Sequence, residues 1–362
     1  MNRGKKIEKI ARGVAISLLI ISIFIGRQSV AGMDFPVTIH TYVESLLPNT
    51  TNTAAPDEDY PAPHPPFLES HWEDITEVFG INDIIFQLEQ ELAREAADPP
   101  PITEADIYRL RDFDYLRTQF YISDRNTRLL PNDVDVDAFV RADLTIDTAA
   151  DGPKVLIFHT HSTEMFADSN PNNPMDGVLG LGARLAEILE QDYGIQTIHD
   201  TTRYDIVEGR SQIMGAYERM EPYIRQILQD NPSIEVVIDL HRDGLPEGAP
   251  PLITYIDDQR AARIMFVNGL SRRYNDGNLE AVPWLPNPYL QENLNFSFQL
   301  QLAANRLYPG FTRRVYLKAF RYSLHLVPRT MLVEVGAQNN TMEEAHNAIP
   351  HLASVIADVI LP

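Results

Sequence analysis

The chain has 362 residues, enough for one large domain or two ordinary ones, and its 44% hydrophobic and 22% charged content excludes wholesale disorder. Acidic residues number 51 against 30 basic ones, a formal net charge of −21, which is the wrong balance for a phosphate-backbone binder, so nucleic acid is not an expected partner. There is no cysteine, which excludes disulfides, thiolate metal sites, iron–sulfur clusters and a cysteine nucleophile while leaving the compartment open.

In chain order, Arg3, Lys5, Lys6, Lys9 and Arg12 precede an uncharged run rich in Ile and Leu, residues 13–26. A basic flank before an apolar run is an export pattern, with the positive end in the cytoplasm. The run is short for a spanning helix, which needs about 20 apolar residues. Ser29-Val30-Ala31 offers the small residues of a cleavage site. An uncleaved anchor and a cleaved signal peptide are therefore both open, and both place the rest of the chain outside the cytoplasmic membrane. Residues 48–66 are rich in Pro, Thr and Asp and read as a linker. Residues 69–97 carry Ile75, Val78, Phe79, Ile84, Ile85, Leu88 and Leu92 at helical spacing, broken near Gly80 and stopped by Pro99, Pro100 and Pro101. Thr103 and Asp106 predict a capped short helix, residues 119–123 a strand and 144–147 a short extended piece. The expected organisation is a signal or anchor over 1–32, a linker over 33–68, a helical region over 69–114 and an α/β domain over 115–362.

From Lys154 the texture changes. Val155-Leu-Ile-Phe158 is a continuous apolar run, as expected of a strand buried on both faces. Helical and apolar stretches then alternate. Helices are predicted over 179–193, 210–230, 290–308 and 341–360, and strands over 196–199, 234–239, 261–267, 314–318 and 330–334. This predicts an α/β fold, an open and mostly parallel sheet with helices on both faces. Gly177, Gly180 and Gly182 follow no strand directly, so they read as the start of a helix rather than a phosphate loop.

Sites in such sheets form at the carboxyl ends of strands. Three strand ends carry suitable groups: His159-Thr-His161-Ser-Thr-Glu164, Asp239-Leu-His241-Arg242-Asp243 and Glu334-Val-Gly336. Two imidazoles and a carboxylate form a common hydrolytic zinc set, and His161, Glu164 and His241 supply it. Glu334 terminates its own apolar strand, where an unpaired carboxylate is costly, and is suited to proton transfer. His159 is a rival ligand, because strand alternation points it the same way as His161. His161 is favoured because it lies beyond the strand and shares a short loop with Glu164. Taken singly these signals are weak: H-x-H and H-x-x-E are common on ordinary surfaces, and the Asp239–Asp243 cluster has a salt-bridging reading. Their coincidence in one α/β unit carries the metallohydrolase reading.

Four stretches carry a family resemblance: KVLIFHTHSTEMFA (154–167), NPSIEVVIDLHRDGL (231–245), YPGFTRRVYLK (308–318) and LVEVGAQNNTMEEAH (332–346). With them the chain resembles the stage II sporulation protein P family of cell-wall hydrolases from about Tyr115 to Ala353. The resemblance implies an amidase-like fold, one Zn2+ ion held by His161, Glu164 and His241, and Glu334 as the catalytic carboxylate. Glu164 follows its histidine sooner than in the general amidases. The resemblance also implies cleavage of the amide between the glycan lactyl group and L-Ala of peptidoglycan, with cutting of peptide cross-links as a further activity. A glycan-cleaving lytic transglycosylase and a membrane scaffold are the implied partners, at the septum during sporulation engulfment. The anchored reading of the N-terminus follows from it too. Arg321-Tyr-Ser-Leu-His325-Leu departs from the family's usual Arg-Tyr-Asn-Gln-His-Leu, losing the polar pair while keeping Arg321 and His325. His159, Arg242, Asp243, Arg321 and His325 are expected to support the ligands or meet substrate, bracing being favoured for Arg242 and Asp243. A zinc carboxypeptidase, using Arg242 or Arg321 for a terminal carboxylate, and a non-catalytic wall-binding module are the competing classes.

Overall fold

The computed structural model describes residues 106–362 except Glu247. The anchor, linker and helical-region expectations for 1–32, 33–68 and 69–105 lie outside the described residues. Among those described, no helix is long and apolar enough to cross a membrane.

A 3-10 turn, Arg109–Arg111, leads into α1 (Phe113–Gln119), whose N-cap Asp112 accepts from the Tyr115 backbone N–H. Strand β1 (Tyr121–Ser123) and α2 (Val136–Arg141) follow. Then come β2 (Val155–Phe158), α3 (Val178–Gln191), β3 (Thr197–His199) and a small hairpin of β4 (Ile206–Val207) and β5 (Arg210–Ser211). Helix α4 (Ala216–Asp230) leads to β6 (Val236–Asp243). Beyond it lie β7 (Ile253–Ile256), β8 (Gln259–Ala262), β9 (Ile264–Gly269), β10 (Arg272–Asn275) and β11 (Asn278–Ala281). Helix α5 (Leu290–Leu307), β12 (Val315–Lys318), β13 (Thr330–Ala337) and α6 (Met342–Ile360) complete the chain. A capping box between Thr341 and Glu344 opens α6.

Seven strands form one sheet in the order β1-β12-β9-β13-β6-β2-β3. Every neighbouring pair is parallel except β9 with β13. The sheet is thus two parallel blocks meeting at one antiparallel seam. In the block β13-β6-β2-β3 all four strands run the same way, so the carboxyl ends of β2, β6 and β13 lie side by side. Helices cover both faces. Val155, Ile157, Val236, Ile238, Met331 and Val333 pack with α3, α5 and α6 in the main core. The alternate residues Leu156, Phe158 and Val237 pack against Met220 and Ile224 of α4 on the other face.

The strand expected over 261–267 is two strands, β8 and β9, broken at Arg263. That backbone donates to Leu252 rather than to the sheet. The helix expected from 210 begins at Ala216, because Gly215 takes a left-handed φ of 72° and residues 210–211 pair with 206–207. The glycine cluster does open a helix. A Cβ on Gly182 would stand 2.5 Å from His159 Nε2 and 2.7 Å from His199 Nε2. Gly182→Ala is therefore expected to cost about 1–3 kcal/mol by overpacking and to lower the melting temperature by several degrees. An unchanged thermal unfolding curve would show that this contact yields freely.

Candidate metal centre

The ends of β2 and β6 are joined by one buried carboxylate. Asp239 Oδ1 accepts from the Thr160 backbone N–H at 3.0 Å, and Oδ2 accepts from Thr160 Oγ1 at 2.8 Å. This grip replaces the sheet ladder just beyond Phe158, where β2 stops. Alternation therefore does not run on to His161, contrary to the sequence expectation that His159 and His161 point the same way. The His159 ring lies on the α3 side. Its Nδ1 is 2.8 Å from the Leu240 carbonyl, which can only accept, so Nδ1 carries the proton. Nε2 then accepts from His199 Nε2 at 2.9 Å. Both nitrogens are engaged, and burial, with His199 beside it, pushes this histidine down to about 3.

His161 turns instead toward β6. Its ring meets that of His241 edge-on at 5.2 Å between centroids. Glu164 lies between the two: Oε1 is 3.6 Å from His161 Nδ1 and Oε2 is 3.3 Å from His241 Nδ1. One ligand atom from each of the three residues falls within 4.8 Å of the other two. Among the described residues this is the one His/Asp/Glu group with metal-site spacing. Glu164 is fixed from both directions. Its Oε2 accepts from the Arg242 backbone N–H at 2.9 Å, and its carbonyl accepts from the Val178 N–H that opens α3. Burial alone would raise Glu164, but the charge of His241 and the two imidazole contacts hold it well below the usual carboxylate range.

His241 Nε2 contacts Asp239 Oδ1 at 2.7 Å. Burial opposes a charged His241, yet Asp239 and Glu164 on its two nitrogens raise it well above the usual imidazole value. An imidazole with one nitrogen toward the cluster and the other on a buried carboxylate is oriented as metal ligands are. Asp239 was not singled out from sequence as a site residue. The available signal was its place two residues before His241, on the same face of the same strand.

Glu334 pairs with His241 in the β13–β6 register. Its Oε2 is buried with no hydrogen-bond partner. Burial pushes it up to about 8, with the Asp243 and Glu164 carboxylates adding to the rise and His241 and Arg313 opposing it. Directly after it the β13–β6 register shifts, and Gly336 takes a φ of +62°. A Cβ there would stand 2.7 Å from Asn340 Oδ1.

The remaining candidates separate into braces and a neighbouring cluster. Arg242 donates through Nε to the Met165 carbonyl at 2.9 Å, which ties the Glu164 loop to β6. Asp243 pairs with Arg313 at 2.6 Å. Arg321 and His325 gather instead on Glu221 of α4, at 3.3 and 3.0 Å. Tyr217 connects the two regions, its ring edge-on to His161 at 5.6 Å and to Tyr322 at 5.5 Å. Tyr217 was not foreseen; it sits in the first turn of α4 among residues that read as an ordinary helix. Ser323 and Leu324, where the family's polar pair is lost, are both fully buried.

The family model for stage II sporulation protein P matches residues 93–357. The chain belongs to the stage II sporulation protein P family. The match starts upstream of the stretch that carried the sequence resemblance, so part of the helical region is family sequence too. The chain is 24% identical over 230 residues to Stage II sporulation protein P of Bacillus subtilis (strain 168), an alignment covering 59% of this chain and 52% of that protein. It thus spans about half the length of the curated relative it matches. Among solved structures it is similar to N-acetylmuramoyl-L-alanine amidase AmiC2 of Nostoc punctiforme, at 14% identity and a TM-score of 0.32, over 58% of this chain and 97% of that one. It is also similar to an N-acetylmuramoyl-L-alanine amidase from Clostridium difficile 630, at 15% identity and a TM-score of 0.33, over 58% and 95% of the two chains.

Proposed function

We propose that this protein is a zinc-dependent peptidoglycan hydrolase that cleaves the amide between the glycan lactyl group and L-Ala, with stem-peptide cross-links as a further substrate. One observation carries the reading: an imidazole and a carboxylate from the loop after β2 converge with an imidazole of β6, and on the adjacent strand a buried carboxyl oxygen has no partner. The donor set fits zinc, which takes nitrogen and oxygen ligands and keeps an open position in hydrolytic sites. His161, Glu164 and His241 would hold the ion. When bound, zinc supplies Lewis acidity that polarises a carbonyl and acidifies water near neutral pH. Asp239 keeps the Nε2 proton of His241, leaving Nδ1 for the cluster. A cation held beside Glu334 would favour its carboxylate, which would then accept a proton from the attacking water and return it to the leaving amide nitrogen.

The carboxypeptidase reading needs an arginine available for a terminal carboxylate. Arg242 is engaged with the Met165 and Asp243 carbonyls, and Arg321 with Glu221 and the Pro286 carbonyl. The binding-module reading expects a lost donor or a lost Glu334, and all four groups are present. With the N-terminal basic and apolar segment, the reading places the protein at the cell membrane, its hydrolase domain extracytoplasmic. A glycan-cleaving transglycosylase and a membrane scaffold are its proposed partners.

Incubation with purified peptidoglycan sacculi tests the reaction. Zinc-dependent release of stem peptides with a new amino terminus at L-Ala is expected, abolished by chelator and restored by zinc. Cleavage of free peptides with sacculi left intact would favour the carboxypeptidase class. No release from either substrate would sink the hydrolase reading.

A further inference from the structure

The loop that carries two of the three cluster residues is held by a side chain from a distant part of the chain. Ser162 and Thr163 are the two residues between His161 and Glu164. Ser162 Oγ donates to Asp205 Oδ1 at 2.6 Å. Thr163 donates to Asp205 Oδ2 twice, through its backbone N–H at 2.8 Å and through Oγ1 at 2.5 Å. Both Ser162 and Asp205 are fully buried. Among the described residues the Asp205 carboxylate pairs with no cation; hydroxyls and an amide are its partners. With no cation beside it, this buried carboxylate depends on its three donors, and an apolar residue in its place would leave all three without an acceptor.

Asp205 is itself held rigidly. Its carbonyl accepts from the Gln212 N–H at 2.7 Å, across the base of the β4–β5 hairpin. The Arg219 guanidinium of α4 donates to the carbonyls of Tyr204, Gln212 and Met214, at 2.6, 2.5 and 2.9 Å. The connection between β3 and α4 is thereby fastened to α4 and presents one carboxylate to the turn after β2. The turn has only two residues in which to bring an imidazole and a carboxylate to one point. Fixing both of them from outside is a direct way to achieve it.

We propose that Asp205 is a positioning residue that clamps the Ser162–Thr163 turn so that His161 and Glu164 converge with His241. This rests on reading that cluster as a zinc site. The test is zinc affinity, measured on the whole protein by competition with a chromogenic chelator, for wild type and Asp205→Asn, Ser162→Ala and Thr163→Val. Asp205→Asn is expected to bind zinc about 10- to 100-fold more weakly, the range for outer partners of metal ligands. Ser162→Ala and Thr163→Val each remove one of three donors, so they are expected to weaken binding by less and to remain folded. At saturating zinc, hydrolysis of sacculi by Asp205→Asn returns toward the wild-type rate. A residue with a merely structural role would instead lower the melting temperature of the metal-free protein and leave the affinity of the folded fraction unchanged. Zinc affinities within about twofold of wild type for all three variants overturn the clamp while leaving the zinc site standing. A wild type that binds no zinc overturns the underlying reading, and the clamp with it, before any variant is compared.

Discussion

His161→Ala is expected to fold normally and to lose zinc. The His161 side chain is 22% exposed, against 4% for His241, so its removal opens a gap to solvent rather than a buried void. Structural zinc sites bind with about 10–16 kcal/mol over four ligands, so one ligand in a smaller set is worth on the order of 3 kcal/mol, roughly a 100-fold loss of affinity. His241→Ala should lose zinc as well but also destabilise the metal-free protein. It leaves Asp239 and Glu164 buried without their shared cation, a loss of about 3–5 kcal/mol when one partner of a buried pair is removed. Comparing the two variants by metal content and by thermal unfolding separates ligand loss from fold loss. The pH dependence has a definite sign. His241 lies well above the usual imidazole value in the metal-free protein, held there by Asp239 and Glu164. That favours the protonated ring, and a metal taking Nδ1 displaces the proton there. Binding should therefore release about one proton and strengthen as pH rises, read by calorimetry in buffers of different ionisation enthalpy. Zinc retained at wild-type affinity by His161→Ala would remove that residue from the ligand set.

Glu334→Gln is expected to keep zinc and lose hydrolysis, with kcat falling about 100- to 10,000-fold, the range for a general acid–base. The amide fills the same volume beside His241 but cannot take a proton. A drop in KM alone, or in zinc content, would contradict the assigned role. Stability should respond in a second way. The Glu334 carboxyl is raised from 4.5 to about 8 by burial, so the folded protein holds a proton there that the unfolded chain releases near 4.5. Between those values the folded state binds more protons, and stability falls as pH rises. The contribution is fully present below about pH 4.5 and lost on passing through about 8. Glutamine does not titrate. In metal-free protein, the melting temperature of Glu334→Gln minus that of wild type should therefore grow from pH 5 to pH 9. A difference independent of pH would show that Glu334 is not held in its raised state.

Much of this was legible in the chain itself. The apolar runs at Val155–Phe158 and Thr330–Glu334 read as strands buried on both faces, and a polar residue ending such a run lies at the carboxyl end of a strand, where sites form. That argument reached His161, Glu164, His241 and Glu334 together. Helix α6 was equally readable, because Thr341 and Glu344 cap it locally and the apolar spacing continues to Ile360. The hairpins β4–β5, β7–β8 and β10–β11 were not, since strands of two to four residues are too short to carry a periodic signal. The expectation that His161 points the same way as His159 failed for a related reason: alternation carries His159 to the α3 side but holds only while the strand does.

What the sequence by itself determined is the set of chemical groups and the strand ends that carry them, because hydrophobic periodicity is local and strong. Only the tertiary structure decided which groups meet. Asp239 ends β2 by a contact across 79 residues, and Asp205 reaches the His161–Glu164 turn across more than 40. Buried carboxylates act through hydrogen bonds to distant backbone and hydroxyl donors, and no spacing along the chain records those partners.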